Sequence, residues 1–152
     1  NDPSEQERIA LTNKSNADLM ISLNCDSYKN EMAHGVATYS YGSDAHGVHS
    51  VVGDRFASLV QREICARTDL QDCGVHAKTW DLLRLVTAPA VRIDLGYLTN
   101  PGDAQRYLRA EFRDLIAESL VIAIQRLYLS AEDDAKTGTL KVSDLRRAGI
   151  RK

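Results

Sequence analysis

Two short runs of branched and aliphatic residues place the strongest limits on the fold of this chain. The first is LMISL at residues 19–23, followed by Asn24, and the second is VRIDL at residues 91–95, which contains Asp94. Runs of this kind are typical of buried strands that end at a loop. We therefore predict that Asn24 and Asp94 lie where two such strands deliver polar side chains to a site.

Length and composition limit the chain to one substantial core and exclude several kinds of partner. With 152 residues, 43% of them hydrophobic, the chain is predicted to form one main domain. The net charge of -2 gives no electrostatic reason to expect nucleic acid or an anionic membrane as a partner. No apolar run approaches the roughly 20 residues of a membrane-spanning helix. Three cysteines at irregular spacing fit reduced thiols, which favours a cytoplasmic location.

Hydrophobic periodicity predicts alternating helices and strands ahead of a polar C-terminal segment. Ser4 and Glu7 have the spacing of a capping box, which opens a helix that continues to about Lys14. Further helices are predicted at residues 48–67 and 110–129, and strands at 17–23, 35–41, 80–85 and 90–95. Residues 1–129 then form an α/β domain whose mixed, mostly parallel sheet is flanked by helices. Residues 130–152 contain too few apolar residues to pack and are predicted to form a flexible tail.

Several segments, in order along the chain, resemble the zinc-dependent N-acetylmuramoyl-L-alanine amidases, which cleave peptidoglycan. These segments are residues 17–23, 35–39, 82–84 and 90–101. The resemblance implies an amidase-like fold in which the first strand ends at a zinc-binding histidine and the last carries a catalytic glutamate. Asn24 and Asp94 occupy those two positions here. The family's opening strand and its other zinc ligands have no counterpart, so we expect an N-terminal strand to be missing from this chain.

The residue types at these two positions argue against zinc-dependent hydrolysis. An asparagine amide is neutral and is a poor zinc ligand compared with an imidazole. Asp94 keeps a carboxylate, but an aspartate side chain is shorter than a glutamate by about 1.5 Å, which misplaces a general base. Arg92 lies two residues earlier on the same face. An Arg92–Asp94 ion pair, or hydrogen bonding of Asp94 to the loop after Gly96, is favoured over a catalytic role. We therefore predict no metal and no catalytic residue, with zinc expected only if the chain is an active amidase.

Other candidate residues give weaker signals. Cys25 follows Asn24 directly, so it is predicted to point to the opposite face of the sheet as a buried thiol. Trp80, Arg84 and Arg92 are candidates for contacts in a substrate groove or an interaction surface. The four histidines show no spacing typical of a metal site.

Within the family, the chain most resembles the CwlM-type proteins of actinobacteria. The resemblance is carried by residues 60–63, 72–76, 79–85, 94–101 and 137–139. It implies a cytoplasmic protein without amidase activity that regulates the synthesis of peptidoglycan precursors. Such regulators contact a MurA-type enzyme and the lipid II flippase under the control of a serine/threonine kinase. Thr137 and Thr139, in the predicted tail, are the candidate phosphorylation sites.

Three functions remain open from the sequence alone. The first is an inactive, amidase-like regulator that works through protein contacts. The second is an active zinc amidase whose missing ligands precede this chain. The third is a sensor that binds peptidoglycan or its precursors in the groove without hydrolysis. Metal content separates the second function from the others, and ligand binding separates the third from the first.

Overall fold

The computed structural model describes residues 2–129, in which five strands and five α-helices alternate along most of the chain. The helices are α1 (Glu5–Lys14), α2 (Val51–Arg67), α3 (Asp81–Arg84), α4 (Pro101–Leu108) and α5 (Ala110–Leu127). The strands are β1 (Met20–Asp26), β2 (Val36–Ser43), β3 (Val48–His49), β4 (Asp72–Lys78) and β5 (Ala90–Tyr97). The predicted tail, residues 130–152, lies outside the described residues.

The strands form one mixed sheet, which confirms the predicted α/β class. Strand β5 lies between β1 and β2, and β2 also pairs with β3 and β4. The β1–β5 and β2–β4 pairings are parallel, whereas β2 is antiparallel to β5 and to β3. The sheet is therefore balanced between the two kinds of pairing. Within residues 2–129 the outer edge of β1 has no partner strand, and the missing upstream strand stays a prediction.

The two faces of the sheet pack differently. On one face, α2 and α5 cover the main core, whose completely buried members include Val36, Phe56, Val91, Ile93 and Ala123. On the other face, the short helices α1 and α3 bury a smaller cluster around Ile9, Leu82 and Leu83. This smaller cluster covers only the start of β1 and β5, at Met20 and Ala90. The continuation of these two strands on that face stays accessible, which leaves room for a site.

The predicted strand at residues 80–85 is wrong, because this segment is helix α3 and the strand is β4, at Asp72–Lys78. Leu82 and Leu83 are both buried in one apolar cluster, which a helical turn allows and a strand would prevent by pointing them to opposite faces. Strand β4 was not predicted from the sequence, because most of its side chains are exposed and its backbone is irregular. Gly74 takes a positive φ of 83°.

Other predicted elements are confirmed with shifted ends. Ser4 and Glu7 form the predicted capping box of α1. Strand β1 lies three residues later than predicted, so Asn24 lies inside it rather than after it. Strand β5 continues to Tyr97 and contains Asp94, as predicted. The predicted helix at 48–67 begins instead at Val51, because residues 48 and 49 pair with β2 and the Ser50 side chain caps the helix.

A buried carboxylate, Asp103, fixes the end of β5 against the start of β2. Its Oδ2 accepts hydrogen bonds from the backbone N–H groups of Gly35 and Tyr97, each at 3.0 Å. Its Oδ1 accepts a hydrogen bond from Arg106 at 3.0 Å. Gly96 has a φ of 93°, and a Cβ there would lie 2.7 Å from this carboxylate, so only glycine fits the close approach.

Replacing Asp103 by asparagine is expected to lower the free energy of unfolding by about 3 kcal/mol, because the amide cannot accept hydrogen bonds at both positions. Chemical denaturation of the purified chain measures this loss. The matched control is Asp69→Asn, which removes the exposed partner of the same Arg106. We expect that change to cost less than about 1 kcal/mol. Equal losses for the two variants would contradict the assigned role of Asp103.

Candidate functional site

Asn24 and Asp94 lie side by side on the accessible face of the sheet. In the parallel β1–β5 ladder Asn24 is the partner of Asp94, and Ser22 is the partner of Arg92. Because partners in a ladder point to the same face, these four side chains form one polar group. The prediction that the two aliphatic runs bring Asn24 and Asp94 together is confirmed.

The predicted ion pair between Arg92 and Asp94 is also confirmed. The Nε of Arg92 donates to Oδ1 of Asp94 at 2.7 Å. The side chain of Asp94 is 8% exposed and that of Arg92 is 30% exposed. Burial of a carboxylate is costly unless it is paired, so Arg92 compensates the charge of Asp94 within the protein.

Asn24 uses its amide group to contact its own strand. Its Nδ2 donates to Oγ of Ser22 at 3.0 Å and to the Ser22 carbonyl oxygen at 3.2 Å. The amide therefore stays on β1 and makes no hydrogen bond to Asp94 within the described residues. The polar group is divided into two separate pairs, Asn24 with Ser22 and Asp94 with Arg92.

An aromatic and cationic cluster continues the same face beside Arg92. The rings of Trp80 and Tyr39 lie 4.8 Å apart, and the ring of His76 lies 5.6 Å from that of Tyr39. The Arg92 guanidinium lies 5.1 Å from the centre of the Trp80 ring, and Nζ of Lys78 lies 5.7 Å from it. Burial raises the pKa of Tyr39, and the nearby negative charge of Asp94 adds to this effect. Trp80 is 38% exposed, so the cluster is accessible to a ligand.

A cavity of about 220 Å³ adjoins this cluster. It is lined by the side chains Glu5, Trp80, Asp81, Leu82, Leu83 and Arg92. Of the three predicted groove residues, the structure thus brings Trp80 and Arg92 together. Arg84 does not line the cavity and instead donates to Asp81 at 2.7 Å on the surface of α3.

The described residues do not fit a zinc ion. Zinc in a hydrolase requires three histidine, cysteine or carboxylate ligands and one open position. Residues 2–129 contain no group of three such side chains with suitable placement. At the zinc-ligand position implied by the resemblance, Asn24 contributes a neutral amide. Asp94, at the position of the catalytic glutamate, is engaged with Arg92.

The prediction of a buried thiol at Cys25 is wrong. Cys25 does lie on the face opposite Asn24, but it is exposed. The reason is its place near the end of an edge strand, where its neighbour Leu23 is also 54% exposed. Both side chains line an apolar groove of about 280 Å³ against α5. Thr137 and Thr139 lie outside the described residues.

Three residues of the cluster were not singled out from the sequence as site residues, namely Tyr39, His76 and Lys78. Tyr39 belongs to the predicted strand at 35–41, whose alternation places it on the same face as Tyr41. His76 and Lys78 were not identified as site residues because β4 was not predicted. His76 and Lys78 have the two-residue spacing of one strand face, but two polar residues do not predict a strand by themselves.

Comparisons with known proteins agree with this fold. A family model described as N-acetylmuramoyl-L-alanine amidase matches residues 1–126. N-acetylmuramoyl-L-alanine amidase CwlM of Mycobacterium tuberculosis is 46% identical over 143 residues, which cover 94% of this chain and 35% of that protein. The germination-specific N-acetylmuramoyl-L-alanine amidase of Bacillus subtilis is 27% identical, over 84% of this chain and 52% of that protein. The chain therefore spans about a third to a half of the length of these relatives.

A solved structure gives the same result. The crystal structure of an N-acetylmuramoyl-L-alanine amidase from Clostridium difficile 630 superposes with a TM-score of 0.73 at 26% identity. The match covers 89% of this chain and 68% of that one. The catalytic domain of CwlV, an amidase from Bacillus (Paenibacillus) polymyxa, superposes with a TM-score of 0.71 at 20% identity, a likeness of fold alone. That match covers 82% of this chain and 65% of that one.

A double-mutant cycle on Arg92→Leu and Asp94→Asn is expected to give a coupling energy of about 2 kcal/mol, since Asp94 is shielded from water. The Arg84→Leu and Asp81→Asn cycle is a matched control, because its N–O distance is also 2.7 Å. Its side chains are 48% and 45% exposed, so we expect about 0.5 kcal/mol there. Denaturant unfolding of all variants provides the energies. A coupling for Arg92 and Asp94 no larger than that of the surface pair would show that burial does not strengthen the ion pair.

Proposed function

The chain belongs to the N-acetylmuramoyl-L-alanine amidase family, and from this premise we propose that it does not hydrolyse peptidoglycan. Instead, it is a pseudoenzyme that regulates the synthesis of peptidoglycan precursors through protein contacts. The ion pair between Arg92 and Asp94 is the single observation that carries the proposal. The ion pair bears on the chemistry of the site and not on the fold, which is amidase-like.

The ion pair supports inactivity because a general base must reach and deprotonate its water. Asp94 already accepts a hydrogen bond from Arg92 at 2.7 Å and is almost fully buried. Its shorter side chain also retracts the carboxylate toward the strand, and a misplacement of about 1 Å costs on the order of 100-fold in rate. A paired and retracted carboxylate is poorly placed for general-base catalysis.

The state of Asn24 supports the same conclusion about the metal. An amide that donates to Ser22 offers only its oxygen, which is a weak ligand for zinc compared with histidine nitrogen. The names of the relatives describe those proteins as amidases. We propose that the present chain lacks that activity. Zinc chemistry would require ligands other than the ones the described residues offer.

The partners in this proposal are those implied by the resemblance to CwlM-type regulators. They are a MurA-type enzyme, whose activity the protein raises, the lipid II flippase, and a serine/threonine kinase that controls both contacts. The relative at 46% identity supports the comparison over almost the whole chain. The proposal places the protein in the cytoplasm, where these contacts occur. In the part of the chain that the structure describes, each helix is too short or too polar to span a lipid bilayer.

We expect the natural full-length protein, supplied with zinc, to release no peptide from muropeptides above the rate of a heat-inactivated sample. Mass spectrometry of the products measures the release, and an active amidase of the family is the positive control. An Asp94→Asn variant serves as the matched sample. If the wild type hydrolyses muropeptides and the Asp94→Asn substitution abolishes this hydrolysis, the protein is an active zinc amidase and the proposal is wrong.

Replacing Thr137 and Thr139 by alanine is expected to leave the melting temperature unchanged and to abolish kinase-dependent activation of the MurA-type enzyme. A phosphate adds about -1.5 to -2 charges near Lys136 and Lys141, which changes what the segment can bind. Activation assays with phosphorylated and unphosphorylated protein measure the effect. Ser143→Ala, in the same segment, is the control. Full activation by the double alanine variant would exclude these threonines as the regulatory sites.

A further inference from the structure

We propose that the cluster around Trp80 binds a nucleoside diphosphate, with the heterocycle in the adjoining cavity and the phosphates on Arg92 and Lys78. This ligand goes beyond the proposed regulation by protein contacts. It uses the same face of the sheet but does not depend on whether the protein hydrolyses peptidoglycan. The proposal follows from three features of the described residues: two cations with unused donors, one exposed indole and one small mixed cavity.

The two cations supply the phosphate-binding half of the site. Arg92 uses only its Nε on Asp94, so its two terminal nitrogens make no hydrogen bond within the described residues. Lys78 is exposed and forms no ion pair within residues 2–129. Both charges lie within 6 Å of the Trp80 ring centre, at 5.1 and 5.7 Å. Arginine is well suited to phosphate because its planar fork donates two parallel hydrogen bonds, and lysine adds a second charge.

The pairing with Asp94 holds the arginine in place for this purpose. A free arginine side chain loses rotamer freedom when it binds a ligand, which weakens affinity. Here the salt bridge on one side and the indole on the other already restrict the guanidinium. The same contact that occupies Asp94 therefore orients the terminal nitrogens of Arg92 before a ligand arrives.

The cavity supplies the half that recognises the heterocycle. Its volume of about 220 Å³ has room for one small ring system. Leu82 and Leu83 give it an apolar wall, and the accessible part of the Trp80 indole, which Arg92 and Tyr39 also contact, adds aromatic surface to it. Glu5 and Asp81 also line it, and their carboxylates accept hydrogen bonds from ring N–H groups. Arg92 also lines the cavity, so a base held there lies beside the cation that binds the phosphates.

The chain has a single tryptophan, so its fluorescence reports directly on this site. We expect uridine diphosphate to change the Trp80 emission in a saturable way when added to the purified full chain. Uridine alone and inorganic pyrophosphate alone each reach only one half of the site, and we expect each to bind at least about tenfold more weakly. Adenosine diphosphate tests the size limit of the cavity. Equal affinity for pyrophosphate and uridine diphosphate would overturn the assignment of the cavity.

Two substitutions test the phosphate-binding half. Arg92→Gln and Lys78→Met are each expected to weaken the binding of uridine diphosphate by about tenfold, the effect of losing one charged hydrogen bond. Lys78 is exposed and does not touch Asp94, so its variant folds even if Arg92→Gln is destabilised. Lys14→Met, at the end of α1 opposite Glu5, removes a charge remote from the cavity and is expected to change nothing.

The proposal is overturned if no probe changes the emission at millimolar concentration, or if folded Lys78→Met binds as tightly as the wild type. Its failure is distinct from that of the proposed function. Hydrolysis of muropeptides by a protein that still binds uridine diphosphate would end the regulatory proposal and keep this site. A protein that binds no nucleotide and hydrolyses no muropeptide would end the proposal of a nucleotide site and keep the regulatory proposal.

Discussion

The ion pair between Arg92 and Asp94 is the constraint on which the accessible face of this protein depends. Both residues lie on β5, which pairs with β1 on one side and β2 on the other. A carboxylate buried at that position requires a partner, and the nearest available cation is two residues away on the same strand. Once Arg92 turns toward Asp94, its guanidinium lies beside Trp80, and Trp80 in turn stacks on Tyr39. The contacts of these four side chains are therefore coupled.

The main hydrophobic core is separate from this face. The main core lies on the other side of the sheet, where α2 and α5 cover Val91 and Ile93, the neighbours of Arg92 on β5. A further buried pair, Glu63 with Arg126 at 2.8 Å, joins these two helices on that side. Because the alternating side chains of β5 point to different faces, the site residues can change without altering the core. This separation allows the amidase-like fold to form independently of which polar residues stand at positions 24 and 94.

Much of the fold could be predicted from the sequence, because the patterns that indicate it involve residues close together in the chain. The capping box of α1, the periodicity of the long helices and the aliphatic runs of β1 and β5 depend on neighbouring residues. The Arg92–Asp94 pair was predictable for the same reason, since both lie on one strand. Strand β4 was not predictable, because its residues are held by pairing with β2 rather than by an apolar pattern. The exposure of Cys25 depends on which strand forms the edge of the sheet, a property of the whole fold that no local pattern contains.

The proposed pseudoenzyme requires that Asn24, where the resemblance implies a zinc-binding histidine, does not bind zinc. Elemental analysis of the natural full-length protein, purified without chelators and dialysed against zinc, tests it most directly. We predict that any zinc the protein retains is unchanged in the Asn24→Ala variant, once this variant is shown to be folded. Stoichiometric zinc that is lost when Asn24 is replaced would contradict this proposal.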